Sequence, residues 1–131
     1  GIYEITTGSL VTYPHPYRII DFMTDASGKQ SLKIESYRVN SLPDLPNLSD
    51  ISRNWIGDRS FHFMSKLLTN PPLNLSPELA AQLAPSLRYF WADIASGDAV
   101  LDFPNFPPEV RRYFKSFNAT NSIDNNATLL L

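Results

Sequence analysis

At 131 residues, with 43% hydrophobic and 12% aromatic content, the chain is long enough for one packed core and too short for two. A formal charge of −2, with both signs spread along the length, is not the composition of a nucleic-acid or membrane-surface protein. The absence of cysteine removes disulfides, thiolate zinc sites, iron–sulfur clusters and cysteine nucleophiles together.

Residues 2–40 read as strands. "YRIIDFMT" and "QSLKIESYRV" flank the glycine-containing turn "DASGK", and Ile20 and Phe22 alternate with polar positions as Leu32 and Ile34 do opposite them. The earlier "IYEITTGSLVTY" reads as a second hairpin about Thr7-Gly8-Ser9, with Pro14 and Pro16 stiffening the passage to the next strand. Three or four antiparallel strands would then make a small twisted sheet or an SH3-like partial barrel.

A proline-paced connector, "SLPDLPNLS", leads to Ser49 or Asp50 as the cap of a helical stretch ending near Leu68. Ile51 and Trp55 fall on one side of that helix, while Phe61, Met64, Leu67 and Leu68 fall on the other. Gly57 lies between the two sets, which predicts a break there and two short helices. In "SPELAAQLAPSLRYFWADIASG", Ser76 is placed to cap, Pro77 to start and Gly97 to end a helix. Leu79, Leu83, Leu87, Phe90 and Ile94 form its apolar stripe. Pro85 points away from that stripe, so one bent helix over 77–96 is predicted. In "LDFPNFPPEVRRYFKSF", Asn105 is placed to cap and Pro107 or Pro108 to start a last helix. It would turn Val110, Tyr113, Phe114 and Phe117 inward and leave Phe103 and Phe106 in an exposed loop. Residues 118–131 read as a mobile polar tail.

Motifs for phosphate loops (G-x-G-x-x-G, G-x-x-x-x-G-K) and for a serine elbow (G-x-S-x-G) are absent from the sequence. Asp58, His62 and Lys66 are four apart and share a helix face, the spacing of a carboxylate orienting an imidazole as general base. A solvated polar stripe explains them as well, and no nucleophile stands nearby. His15, in the rigid "YPHPYR", sits between Tyr13 and Tyr17 in an exposed turn, where it reads as a contact point or, more simply, as part of a strand connection stiffened by prolines. Asp93, Asp98 and Asp102 surround the end of the long helix, where paired carboxylates serve glycoside chemistry or a hard cation, or are simply solvated. Two separated histidines make no metal set, and no cofactor is implied. Arg88, Arg111, Arg112 and Lys115 offer one modest basic face for phosphate contact. Asn47, Asn74, Asn118 and Asn126 each begin an N-x-Ser/Thr triplet, which a chain rich in these residues produces by chance.

The sequence therefore predicts a single α+β domain over 1–131. Strands (2–40) would pack against three or four helices (49–117), followed by the polar tail (118–131). A binding or accessory protein acting through a protein partner is the leading functional expectation, with Tyr13, His15, Tyr17, Phe103 and Phe106 as its surface. A small enzyme or ligand-binding protein, with a pocket at the sheet–helix junction, is the alternative. An accessory to nucleic-acid machinery is the third. No apolar run approaches the roughly 18 residues of a membrane span, and no signal peptide is visible, so the cytoplasm is the expected location.

Overall fold

The computed structural model describes residues 3–97, 99–119 and 125–131. Its elements run β1 (Pro16–Thr24), β2 (Gln30–Arg38), α1 (Leu48–Thr69), α2 (Pro77–Leu83), α3 (Phe90–Ile94), α4 (Pro108–Lys115) and β3 (Ala127–Leu130). The fold is α+β: a three-stranded antiparallel sheet, in the order β1-β2-β3, and four helices. The sheet is open, with β1 and β3 at its edges, and does not close into an SH3-like partial barrel.

The β1–β2 hairpin forms where the sequence places it, in a register running from Pro16 opposite Arg38 to Thr24 opposite Gln30. Asp25 organises the turn. Its Oδ1 accepts from the Ser27 hydroxyl (2.6 Å), the Ser27 amide (2.8 Å) and the Lys29 amide (3.0 Å), while Gly28 takes the left-handed φ of 86°. The Ser27 hydroxyl, followed by these amides, holds the Asp25 carboxyl below its ordinary value.

The first predicted hairpin does not form, and the described residues before Pro16 contain no strand. Pro14 and Pro16 lack the amides a ladder needs, and the segment is tied down by side chains instead. Arg18 donates through Nη1 to the Thr6 carbonyl. The third strand comes from the other end of the chain. Residues 127–130, expected to be mobile, pair with β2 from Ile34 opposite Ala127 to Ser31 opposite Leu130. Asn126 Oδ1 accepts from the Ser36 amide at 2.9 Å and extends the contact.

Helix α1 is continuous through Gly57. Of its two apolar sets, Met64 and Leu68 face inward with Gly57 and Ser60 and Leu67 is half-buried, while Phe61 is exposed, as are Ile51 and Trp55 of the other set. Without a second core to reach, the helix has no reason to break. Gly57 serves close approach, since a Cβ there would lie 2.8 Å from Cε1 of Tyr89. The helix begins at Leu48 with Asn47 at its cap, two residues ahead of the predicted cap Ser49 and three ahead of Asp50.

Ser76 caps α2 as predicted, its hydroxyl accepting from the Leu79 amide at 3.2 Å. The predicted bent helix over 77–96 is instead divided. The chain tightens into a 3-10 turn at Ala84–Leu87, around an exposed Pro85, and resumes as α3. Pro85 supplies no amide to the i−4 carbonyl, so the turn there closes on shorter bonds. Gly97 ends the run at φ 95°.

Pro107, rather than Asn105, precedes α4, and Val110 and Phe114 are fully buried on its inner face. Tyr113 and Phe117 pack partly buried beside them. The loop before α4 departs most from expectation. Its prolines fold it into a turn closed by the Phe106 amide on the Phe103 carbonyl (3.0 Å), which points both rings inward. Phe106 is only 8% exposed and stacks on a partly buried Phe103 with centroids 4.9 Å apart. Both rings touch Phe114. The amide of Asn118 locks this loop to the helix end, donating to the Leu101 carbonyl and accepting from the Leu101 amide, each at 2.8 Å. Both ends of that amide are thus committed within the fold.

The core is helical. Apart from Pro14 and from Ile34, 5% exposed on β2, every buried apolar side chain among the described residues lies between Met64 and Phe114. The helices pack chiefly on one another, and the sheet meets the helical region at its base, where Nη2 of Arg38 donates to the Ser96 carbonyl at 3.1 Å.

Candidate functional site

Among the described residues, those singled out for chemistry are not brought together. Asp58 forms an ion pair with Arg88 at 2.6 Å, and His62 stands exposed one turn on, its ring edge-on to Phe61. No hydrogen bond links His62 to Asp58. Asp93 holds Arg53 at 2.7 Å, and Asp102 holds Arg111 through both oxygens at 2.6 Å, with Lys115 at 3.6 Å. The bonds from Arg111 pull the Asp102 carboxyl down to about 2. Asp98 lies outside the described residues. Among those described, no three histidine, aspartate or glutamate side chains cluster to hold a metal.

The same ion pairs reduce the basic face. Of Arg88, Arg111, Arg112 and Lys115, three are engaged by Asp58 or Asp102. Arg112 alone lacks a carboxylate partner among the described residues.

His15 is buried at 7% exposure, not displayed. It follows a cis Tyr13–Pro14 bond and adopts a left-handed φ of 55°. Its Nδ1 lies 3.0 Å from the Leu10 carbonyl, and its Nε2 lies 2.9 Å from Oγ of Ser52 on α1. A carbonyl only accepts, so Nδ1 donates to Leu10, while Nε2 pairs with a Ser52 hydroxyl that also reaches the Leu48 carbonyl at 2.7 Å. The imidazole thus fastens the N-terminal segment to the first turns of α1. Of the five predicted contact residues, His15 and Phe106 are buried, and Tyr13 and Phe103 partly so. Tyr17 remains exposed, stacked on Tyr37 across the hairpin at 5.4 Å.

Two features that sequence reasoning missed stand out. The first is the hairpin surface. On one face of β1, Ile20 and Phe22 are 48% and 59% exposed, opposite Ile34 and Leu32. On the other, Ile19 and Met23 are exposed beside the Tyr17–Tyr37 stack. Among the described residues β1 pairs with β2 alone, so its outer edge has no strand beside it. The alternation of Ile20 and Phe22 was legible, but it signals an inner face only if something covers it.

The second is a cleft of about 190 Å³ at the junction of the hairpin base with the end of α3. Arg18, Ser36 and Arg38 line it from the sheet, Thr6 and Thr7 from the N-terminal segment, and Ser96 and Gly97 from the segment after α3. It lies at a sheet–helix junction, as the ligand-binding alternative expects of a pocket, and Asp58, His62 and Asp102 are not among its described lining residues. The hairpin register, readable from the "DASGK" turn, was the signal for it: it sets Arg18 opposite Ser36 and brings Arg38 to the same face two positions on.

No protein-family model matches the chain, and no significant match is found among curated proteins or solved structures. No helix among the described residues is long and apolar enough to cross a membrane.

Proposed function

We propose that this chain is a non-enzymatic binding or accessory protein that acts through a protein partner, with the β1–β2 hairpin as its contact surface. One observation carries the reading: β1 displays exposed apolar side chains on both faces and has an open edge. Contiguous apolar surface of this kind marks interaction sites. An extended partner segment adding to the edge would gain main-chain hydrogen bonds, while Ile20 and Phe22 on one side and Ile19 and Met23 on the other would grip its alternate side chains. Tyr17 belongs to this surface. The other predicted contact residues lie inside the fold or against it. The catalytic alternative is weakened by the diversion of Asp58 to Arg88, and the nucleic-acid alternative by the pairing of Arg88, Arg111 and Lys115.

Affinity capture from the source cell tests this, using the wild-type chain and Phe22→Lys, followed by hydrogen exchange on the purified pair. The expected result is a stoichiometric partner that slows exchange along β1 and is lost with Phe22→Lys, while the melting temperature holds. A partner that binds both forms alike, or protects α1 and leaves β1 unchanged, would sink the assignment.

A further inference from the structure

We infer that the cleft between the hairpin base and the end of α3 binds a small phosphate-class oxyanion, held between Arg18 and Arg38. Strand alternation places Pro16, Arg18, Ser36 and Arg38 on one face of the hairpin. Arg18 faces Ser36 directly, so Arg38 is its diagonal neighbour, within reach of a long side chain. Two guanidinium groups so placed repel each other unless a negative charge lies between them.

No carboxylate of the described residues supplies that charge. Arg53, Arg88 and Arg111 each hold an aspartate. Arg18 and Arg38 are instead steadied by neutral oxygens. Nε of Arg18 donates to the Ser36 hydroxyl at 2.9 Å and Nη1 to the Thr6 carbonyl, while Nη2 of Arg38 donates to the Ser96 carbonyl at 3.1 Å. These bonds fix both side chains in position and leave each guanidinium with unused N–H donors. Glu4 lines the adjoining cleft with Arg18, but its carboxylate accepts from the Thr6 hydroxyl at 3.4 Å and pairs with neither arginine. The arrangement is a pre-positioned pair of forks, the geometry that suits tetrahedral oxyanions.

Size narrows the ligand. Pockets for drug-sized molecules run from about 300 Å³ upward; the 190 Å³ between the arginines is below that range, and the adjoining cleft of about 450 Å³, which shares Arg18 and Thr6, leaves room for an organic part. Inorganic phosphate, or the phosphate of a small monoester with its organic part toward solvent, matches the volume and the charge. Because the whole chain carries a formal charge of −2, such binding would be a property of this cleft and not of general basicity.

Isothermal calorimetry and thermal shift with inorganic phosphate and with glycerol 3-phosphate, each against chloride at matched ionic strength, test the inference. Saturable 1:1 binding is expected. Arg38→Gln should weaken it about ten-fold or more, and Arg18→Gln similarly, while Arg112→Gln, away from the cleft, should leave it unchanged. Arg38 is exposed, so its variant reports binding even if Arg18→Gln loosens the hairpin base. Tighter binding of inorganic phosphate assigns the free ion, and tighter binding of glycerol 3-phosphate assigns a monoester. A response equal to that of chloride, or wild-type affinity in Arg38→Gln, overturns the site. Phe22→Lys should bind the anion normally, which keeps this result separate from the hairpin's role.

Discussion

The helical region and the hairpin treat similar side chains in opposite ways. In the helical region Phe114 is fully buried, with the rings of Phe90, Phe103 and Phe106 around it at 4.9 to 6.3 Å. On the hairpin Phe22 is among the most exposed large side chains, and Ile34 is the one apolar group of the sheet that is buried. Both regions have patterned, well-formed secondary structure. Periodicity therefore reports which side chains share a face, and a separate fact, the presence of a covering element, decides whether that face is a core.

The largest expected effect contrasts the two regions directly. Phe114→Ala should cost about 3–5 kcal/mol in urea unfolding, and Phe106→Ala should fall in the same class, as core phenylalanines do. Phe22→Ala should cost less than about 1 kcal/mol, the scale of a cross-strand pair. Equal losses at Phe114 and Phe22 would mean that the hairpin is covered in solution. A smaller effect sharpens the account of α1. Gly57→Ala improves helix propensity by about 1 kcal/mol. Its Cβ, however, would meet a Tyr89 ring that is pinned by its bond to Asn54 (2.6 Å) and by Arg53 above its face. A net loss of about 1–2 kcal/mol is expected from such overpacking. In a Tyr89→Ala background the same substitution should become neutral or stabilising, and a cycle showing no coupling would remove Gly57's packing role.

The smallest effect is electrostatic and belongs to the helical side. Asp102, lowered to about 2 by Arg111, contributes stability that is complete above the ordinary carboxylate value and is lost as pH falls from about 4 through 2. The pair is exposed, so the loss should be slight. Carbon-13 titration of the Asp102 carboxyl should show a midpoint near the ordinary value in Arg111→Gln and a depressed one in wild type. Coincident midpoints would show that the ion pair does not persist in solution.

Local signals in the sequence translated well into structure. Ser76, Pro77 and Gly97 set the bounds of their helical run, "DASGK" fixed the hairpin register, and Val110 with Phe114 marked the inner face of α4. What escaped depends on contacts remote in sequence. Gly57 reads as a breaker until Tyr89 is seen against it. His15 reads as an exposed turn residue until Ser52 is seen beyond it. Phe106 reads as a surface loop residue because prolines usually accompany exposure, yet here they bend the loop toward Phe114. The cleft needed two steps, the register of the hairpin and then the docking of the segment after α3 against its base. Only the first was available from the sequence.

The pairing of β2 with β3 joins residues from opposite ends of the helical region, Ser31 with Leu130 at the far end of the ladder. Synthesis delivers the hairpin early and its third strand only after all four helices. Until then β2 as well as β1 has a bare edge, and the apolar side chains of both strands lie beside unsatisfied backbone. Closing so long a loop costs little more than closing a moderate one, because the entropy grows only with the logarithm of length. The delay itself is the hazard, since nascent sheets with open edges pair readily with one another. The last strand thus covers a β2 edge that the hairpin alone leaves open.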